Sequence, residues 1–207
     1  MEKIIYIIVL ILLENTSFYD NIKNAKIMNY DFLVNKNYKL DKAYVPEDLE
    51  NISLEFACKD KKLRHDAKLA FEKMAKDAKK EGNNIIAVSA FRNYEYQEKL
   101  YNNYTKKYGK YYSALASAKA GHSEHQTGLS VDVADISLDY DNFENTKEFK
   151  WMINNSYKYG FILRYPKASF HITGFKYEPW HYRYVGENVA KFIYEKGITL
   201  EDYKKDF

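Results

Sequence analysis

The chain has 207 residues, 46% of them apolar and 29% charged, which excludes a disordered polymer and fits one ordinary domain with an appendage. Lys and Arg exceed Asp and Glu by 32 − 29 = 3, a mildly basic balance that gives a nucleic-acid partner no support. The single cysteine, Cys58, rules out a disulfide framework and any Cys-rich zinc module, so a metal site would have to be built from His and carboxylates.

Met1-Glu-Lys3 precedes ten uncharged apolar residues, Ile4 to Leu13, closed by Glu14 and Asn15. Such a run fits the hydrophobic stretch of an export signal. As a helix it would rise about 15 Å, roughly half of a bilayer's hydrocarbon core. An exported, extracytoplasmic protein is therefore expected, with a cleaved signal and a retained N-terminal membrane anchor both open. Residues 1–30 read as this segment and an Asn/Lys/Tyr-rich tether, and 31–207 as a single domain.

Within the domain, Leu63, Ala67, Ala70, Phe71, Met74 and Ala78 recur at helical spacing, and Gly82 is placed to end that helix. Ile85 to Phe91 is apolar and predicts a buried strand. A polar helix follows from Tyr94 to Tyr108 with Asn93 as its N-cap; Tyr94, Tyr96, Tyr101, Tyr104 and Tyr108 lie near helical spacing along it and are expected to pack, with Tyr94 or Tyr96 as candidates to line a cleft. Leu129 to Ala134 alternates, with Leu129, Val131 and Val133 facing one way and Ser130 and Asp132 the other. Asn145 to Tyr159 predicts an amphipathic helix ended by Gly160, Phe161 to Arg164 a short strand, and Glu187 to Glu195 a last helix. Helices first, then strands and helices mixed, give an α+β fold around a small, largely antiparallel sheet with flanking helices.

Two of the five histidines lie in unusual settings. Gly121-His-Ser-Glu-His-Gln-Thr-Gly-Leu-Ser-Val-Asp132 is a polar loop running into the alternating strand, and it delivers His125 and Asp132. Between two valines, a bare Asp132 carboxylate would be expensive to bury unless paired or neutralised. An Arg partner or a turn would satisfy it, and so would a divalent cation. In Tyr177-Glu-Pro-Trp-His181, Pro179 fixes the backbone, Trp180 shields, and Glu178 and His181 fall close together. Imidazole and carboxylate ligands with an open fourth position are how catalytic zinc is held, and a further carboxylate beside it is the expected general base. His125, Asp132 and His181 as ligands with Glu178 as base form a chemically complete set, although about fifty residues separate its two halves. His65 and His171 read as structural or solvated, and Asp135, Asp139 and Asp141 as a polar turn lacking the glycine of a calcium loop.

Ser123-x-His125-x-x-Gly128-x-Ser130-x-Asp132 resembles the Ser-x-His-x-x-Gly-x-Ala-x-Asp motif of the LAS metallopeptidases, and Glu178-Pro-Trp-His181 resembles their Glu-x-Trp-His motif. Ser89-Ala-Phe-Arg92-Asn-Tyr-Glu-Tyr-Gln97 is similar to a segment of the VanY-type D-alanyl-D-alanine carboxypeptidases, and Arg183-Tyr-Val-Gly186 fits the same branch. The resemblance runs in order from about Phe32 to Phe192. It implies a zinc site in a cleft over the sheet, with His125, Asp132 and His181 as ligands and Glu178 as base. It further implies that Arg92 polarises the scissile carbonyl, that Ser123 holds the substrate's terminal carboxylate, and that Gln97 contacts substrate.

The function so implied is that of a monomeric, wall-located zinc carboxypeptidase that removes a C-terminal D-residue from peptidoglycan stem peptides, with D,D- or L,D-specificity. The alternatives are an endopeptidase of the same family and a wall-binding module with structural zinc; the latter needs a fourth protein ligand, for which His122 is the nearby candidate. Two departures from the family pattern, Ala90-Phe91 for Gly-Tyr and Ser130 for Ala, are expected to alter pocket polarity.

Overall fold

A computed structural model describes residues 30–206, so the N-terminal export or anchor segment lies outside the described residues. Helix α1 (His65–Lys80) buries Ala67, Phe71, Met74 and Ala78 of the predicted stripe, with Ala75 beside them and Ala70 half-buried. Leu63, read from its spacing as the start of that helix, lies instead in a strand. β1 (Leu49–Asn51) pairs antiparallel with β2 (Lys62–Arg64), a ribbon too short for its period of two to show in sequence. After α1 the Gly82 N–H bonds the Lys79 carbonyl at φ 80°, ending the helix where expected.

β3 (Ile86–Ser89) stops short of Phe91 because the chain beyond Ala90 bonds elsewhere: Phe91 N–H donates to the Lys62 carbonyl and Arg92 N–H to that of His125. Helix α2 (Tyr94–Ala116) is capped by Asn93, whose side chain accepts from the Tyr96 amide at 2.9 Å. It runs eight residues beyond the predicted end and bends at Gly109, where φ is 81° and ψ 162°. The tyrosine series packs only in part: Tyr94, Tyr101 and Tyr104 are half-buried. Tyr96 and Tyr108 are 57% and 48% exposed, and the buried residues of this helix are Gln97 and Ser113.

The main sheet has strand order β3-β4-β6-β5, every neighbouring pair antiparallel, with β4 spanning Ser130–Ala134, β5 Phe161–Leu163 and β6 His181–Tyr184. Leu129, Val131 and Val133 join Phe71, Met74, Met152 and Phe161 in one apolar core, so the alternation of β4 is read correctly from sequence. The predicted helix over 145–159 divides into α3 (Lys147–Asn155), capped by Thr146, and a 3-10 turn (Ser156–Tyr159) that ends at Gly160. A Cβ on Gly160 would lie 2.7 Å from the Tyr184 ring, so the turn can approach β6 only with glycine. Short helix α4 (Phe170–Thr173) precedes β6, and α5 (Glu187–Lys196) and α6 (Leu200–Asp206) close the chain. Among the described residues no helix is long and apolar enough to cross a membrane. The architecture is the expected α+β arrangement, and its second sheet face carries the polar residues.

Candidate active site

Asp132 is the register partner of Ser89 on β3 and of His181 on β6, with the β3 ladder shifting between Ala87 and Ser89. Directly opposed residues share a face of the sheet, so the valines that bury one side of β4 force Asp132 and His181 together on the other. His125 reaches them from a 3-10 turn (Glu124–Thr127) that Gly128 ends in the left-handed conformation, φ 68°. At this positive φ, and with the Leu49 and Arg64 side chains 2.8 and 3.0 Å from where a Cβ would lie, the turn that aims His125 favours glycine there.

The donor atoms converge. His125 Nε2 lies 3.2 Å from Asp132 Oδ2, His181 Nδ1 lies 2.8 Å from Asp132 Oδ1, and one ligand atom from each of the three residues falls within 4.8 Å of the others. His125 Nδ1 donates to the Ala90 carbonyl at 2.6 Å, which fixes the tautomer and leaves Nε2 as a lone pair. That Nε2 is buried and makes no aligned hydrogen bond, a loss of about 1–3 kcal/mol that a metal ion removes. Burial, with Arg92 nearby, pushes the His125 pKa down to about 4, so the ring is neutral and ready to ligate. Burial also works against a charged His181, but the hydrogen bond to Asp132 and the Glu124 and Glu178 carboxylates outweigh it and raise its pKa to about 9. Burial disfavours the Asp132 carboxylate too, and the two imidazoles override it and hold its pKa well below the usual range. These three side chains fit a divalent cation: it takes the place of the His181 proton and uses the idle His125 lone pair.

Glu178 is placed by its own backbone. Its amide donates to the Tyr165 carbonyl and its carbonyl accepts from His181 N–H, a tight turn that brings Oε2 to 3.9 Å from His181 Nδ1. Burial raises its pKa to about 7, with His181 and Arg92 pulling the other way, so the carboxyl can both take and give a proton near neutrality. Arg92, tied through its amide to the His125 carbonyl, holds its guanidinium 3.8 Å from Asp132 Oδ2 and leaves a buried Nε without a hydrogen-bond partner. Gln97 donates through Nε2 to the Ala118 carbonyl at 2.7 Å, which leaves its buried Oε1 unpartnered. Ser123 is buried at the start of the 3-10 turn.

A cleft of about 130 Å³ is lined by Arg92, Gln97, Ser123, His125, Asp132, Glu178 and His181 together, so the structure gathers every sequence-predicted site residue. Tyr104, Tyr140 and Trp180 supply aromatic walls. His122 stands apart: its Nδ1 donates to the Asn35 carbonyl at 2.8 Å, and it is not in the metal-binding group. The structural-zinc alternative therefore lacks its fourth ligand among the described residues. His65 pairs with Glu50 on the surface, His171 is exposed, and Asp135 caps a polar turn through Ser137, as expected. Ser130 does not alter the pocket as anticipated, since its hydroxyl donates to Glu124 Oε2 at 3.2 Å and lies outside the cleft lining, as does Phe91.

Beneath the site lies a charge network that sequence reading missed. Glu124 Oε2 is 3.5 Å from His181 Nε2, while Oε1 accepts from Arg164 Nε at 2.7 Å and faces Arg183 Nη1 at 3.0 Å. Arg164 then makes a two-pronged pair with Glu201 on α6 at 2.7 and 2.6 Å. Arg183 also donates to the Tyr30 and Phe32 carbonyls. Two acids and two guanidiniums balance, all of them buried. Burial disfavours the Glu124 carboxylate, but the two arginines prevail and hold its pKa far below normal. A signal for this was present: of 32 basic residues only Arg64, Arg92, Arg164 and Arg183 are Arg, and every one of them meets a carboxylate.

Comparison with known proteins agrees with this geometry. The sequence model of the VanY family, D-alanyl-D-alanine carboxypeptidase, matches residues 60–187. The putative carboxypeptidase YodJ of Bacillus subtilis (strain 168) is 42% identical over 178 residues, 83% of this chain and 65% of YodJ, so the chain spans just under two thirds of that relative. Among solved structures, the LdcB LD-carboxypeptidase, described in terms of peptidoglycan recognition, superposes with a TM-score of 0.78 at 42% identity, over 84% of each chain. A variant of the vancomycin-resistance D,D-pentapeptidase VanY from a VanB-type cassette, in complex with Zn(II), superposes with a TM-score of 0.72 at 30% identity, over 84% of this chain and 98% of that one. Motif order, site geometry and overall likeness coincide, and the chain belongs to the VanY D-alanyl-D-alanine carboxypeptidase family.

Proposed function

We propose that the chain is a zinc carboxypeptidase that removes a C-terminal D-alanine from peptidoglycan stem peptides. The observation that carries this is the convergence of His125 Nε2, Asp132 and His181 Nδ1 with no fourth protein ligand among the described residues and with Glu178 alongside. Zinc held by these three residues supplies Lewis acidity, polarising a carbonyl oxygen and lowering the pKa of a water ligand. Glu178, balanced near pH 7, takes the proton of the attacking water onto its carboxylate and delivers it to the amine nitrogen of the departing residue. Arg92 presents a fixed guanidinium to the oxygen that gains charge, and its unpartnered Nε is available for that bond. Ser123 can donate its hydroxyl to the substrate's terminal carboxylate, Gln97 Oε1 can accept from a substrate N–H, and Trp180 and Tyr140 exclude water from the cleft.

The site is complete within one chain, which supports a monomer. The apolar run from Ile4 to Leu13 supports export, with the domain working in the wall or tethered to the membrane. The test is product analysis by mass spectrometry: the full chain with zinc is given a stem tetrapeptide and a stem pentapeptide side by side. Release of D-alanine from either, lost on Glu178→Ala, supports the reading. No release, or a Glu178→Ala variant as active as wild type, rejects it, and cutting of intact cross-links would point to an endopeptidase instead.

A further inference from the structure

Ser123 stands between two residues that are tied to the same chain of contacts. On one side, His122 Nδ1 donates to the Asn35 carbonyl at 2.8 Å. On the other, Glu124 Oε1 accepts from Arg164 Nε at 2.7 Å. Asn35 and Arg164 then meet on one carboxylate. Asn35 Nδ2 donates to Glu201 Oε1 at 3.0 Å, and the Arg164 fork grips both oxygens of Glu201. The contacts therefore close a ring, from His122 through Asn35, Glu201 and Arg164 back to Glu124, with Ser123 as the one residue between its ends.

Asn35, Arg164, Glu201 and Ser123 are all buried. Asn35 Oδ1 accepts from the Asn37 and Tyr38 amides, and those two donors orient the side-chain amide so that Nδ2 faces Glu201. The strap over residues 35–44 touches the same loop twice more: Leu40 N–H donates to the Gly121 carbonyl, and Gln126 Nε2 to those of Asp41 and Tyr44. The loop that carries Ser123 and His125 is thus fastened on both sides of them. Asn35 and Glu201 lie outside residues 60–187, the span that matches the VanY family, so they are no part of the motifs that mark the ligands.

We propose that Asn35 is a positioning residue of the site: together with Glu201 it sets where the 121–126 loop stands, and hence where Ser123 and His125 stand. The part that concerns Ser123 rests on the carboxypeptidase reading; the part that concerns His125 does not. A buried donor or acceptor left without its partner is costly, so the ring holds one arrangement and a break at any link frees the loop.

The experiment uses the full chain and three variants. Asn35→Asp keeps the acceptor that its own turn needs and puts a second carboxylate where the donor faced Glu201. Adding Glu201→Gln restores one amide and one carboxylate at that link, with donor and acceptor exchanged. His122→Ala cuts the ring at a half-buried residue and carries the test should Asn35→Asp not fold. Zinc affinity is measured by competition with a chromogenic chelator. Binding of stem tetrapeptide and pentapeptide is measured by calorimetry on the zinc-loaded proteins, with Glu178→Gln added throughout to prevent turnover.

Asn35→Asp and His122→Ala should each weaken peptide binding about tenfold, the worth of one charge-assisted hydrogen bond misaligned at Ser123. Asn35→Asp should weaken zinc binding about threefold to tenfold, less than loss of a carboxylate that touches a ligand, because the link is more remote. The exchanged pair should bring both affinities back to within about threefold of wild type. A purely structural Asn35 would lower the urea midpoint and leave the zinc and peptide affinities of the folded protein unchanged. That result would overturn the proposal, as would an exchanged pair that rescues neither affinity. Weakened zinc binding in the variants, with no peptide bound or cut by the wild type, would uphold the positioning of His125 and overturn the carboxypeptidase reading.

Discussion

Asp132 on β4 and His181 on β6 stand opposite each other in the ladder, and Asp132 Oδ1 meets His181 Nδ1 at 2.8 Å. Sheet register, more than loop geometry, thus brings together the two halves of a site that lie 49 residues apart. A slip of one residue would turn His181 toward the core and Tyr182, which is fully buried, toward the cleft.

Zinc binding should release a proton. The folded His181 holds its proton to about pH 9, above the ordinary histidine value of 6.5, so in the metal-free protein it contributes stability that is present below pH 6.5 and lost as pH rises through 9. Thermal melts in EDTA should therefore show this contribution fading between those pH values, and the stabilisation by zinc should be larger at pH 9 than at pH 6.5. Calorimetry at pH 7.5 in buffers of different ionisation enthalpy should find about one proton released per zinc. A zinc affinity independent of pH over this range would contradict the assignment of His181.

Glu178→Gln keeps the shape of the side chain and removes the base. It should lower kcat by roughly 10²–10⁴ while zinc affinity stays close to wild type, since Glu178 is not placed as a ligand. Steady-state kinetics and a zinc titration on the same sample check this; a parallel loss of zinc would mean that Glu178 ligates.

Glu124→Gln should act on the metal without touching substrate. Glu124 stands between His181 Nε2 and the two buried arginines, so its loss should weaken zinc binding about 10–100-fold, the usual effect of removing an outer-shell carboxylate. Competition with a chromogenic chelator measures it, and an unchanged affinity would show that His181 is oriented without Glu124.

Glu201→Ala, on the last helix, should destabilise the fold strongly for a residue that lies outside the cleft lining. It strips Arg164 of a two-pronged partner in a fully buried position, at a cost of about 3–5 kcal/mol. Urea denaturation of the metal-free protein should show the midpoint fall; a surface-like change of less than about 0.5 kcal/mol would mean that the network is relaxed in solution.

The motifs made the ligands and Glu178 legible because the chemistry needs those residue types at those positions. Their meeting was not legible. β6 reads His-Tyr-Arg-Tyr, an alternation only four residues long, and nothing in it says that it pairs with β4 through Asp132↔His181. Tyr96 and Tyr108 of α2 misled because period alone does not report burial; Lys106 and Lys107 precede Tyr108 and keep that stretch in water. Glu124 looked like a loop residue between Ser123 and His125, and what gives it a role, Arg164 just after β5 and Arg183 on β6, arrives 40 and 59 positions later. The scarcity of arginine was the usable clue, and it holds for all four.

The most direct test is a crystal of the zinc-loaded full chain, with anomalous diffraction recorded at the zinc edge. One strong peak is expected, bound by His125 Nε2, the Asp132 carboxylate and His181 Nδ1 at about 2.0–2.2 Å, with a solvent molecule as the remaining ligand beside Glu178. A peak elsewhere, or one whose coordination is completed by a fourth side chain, would contradict the account.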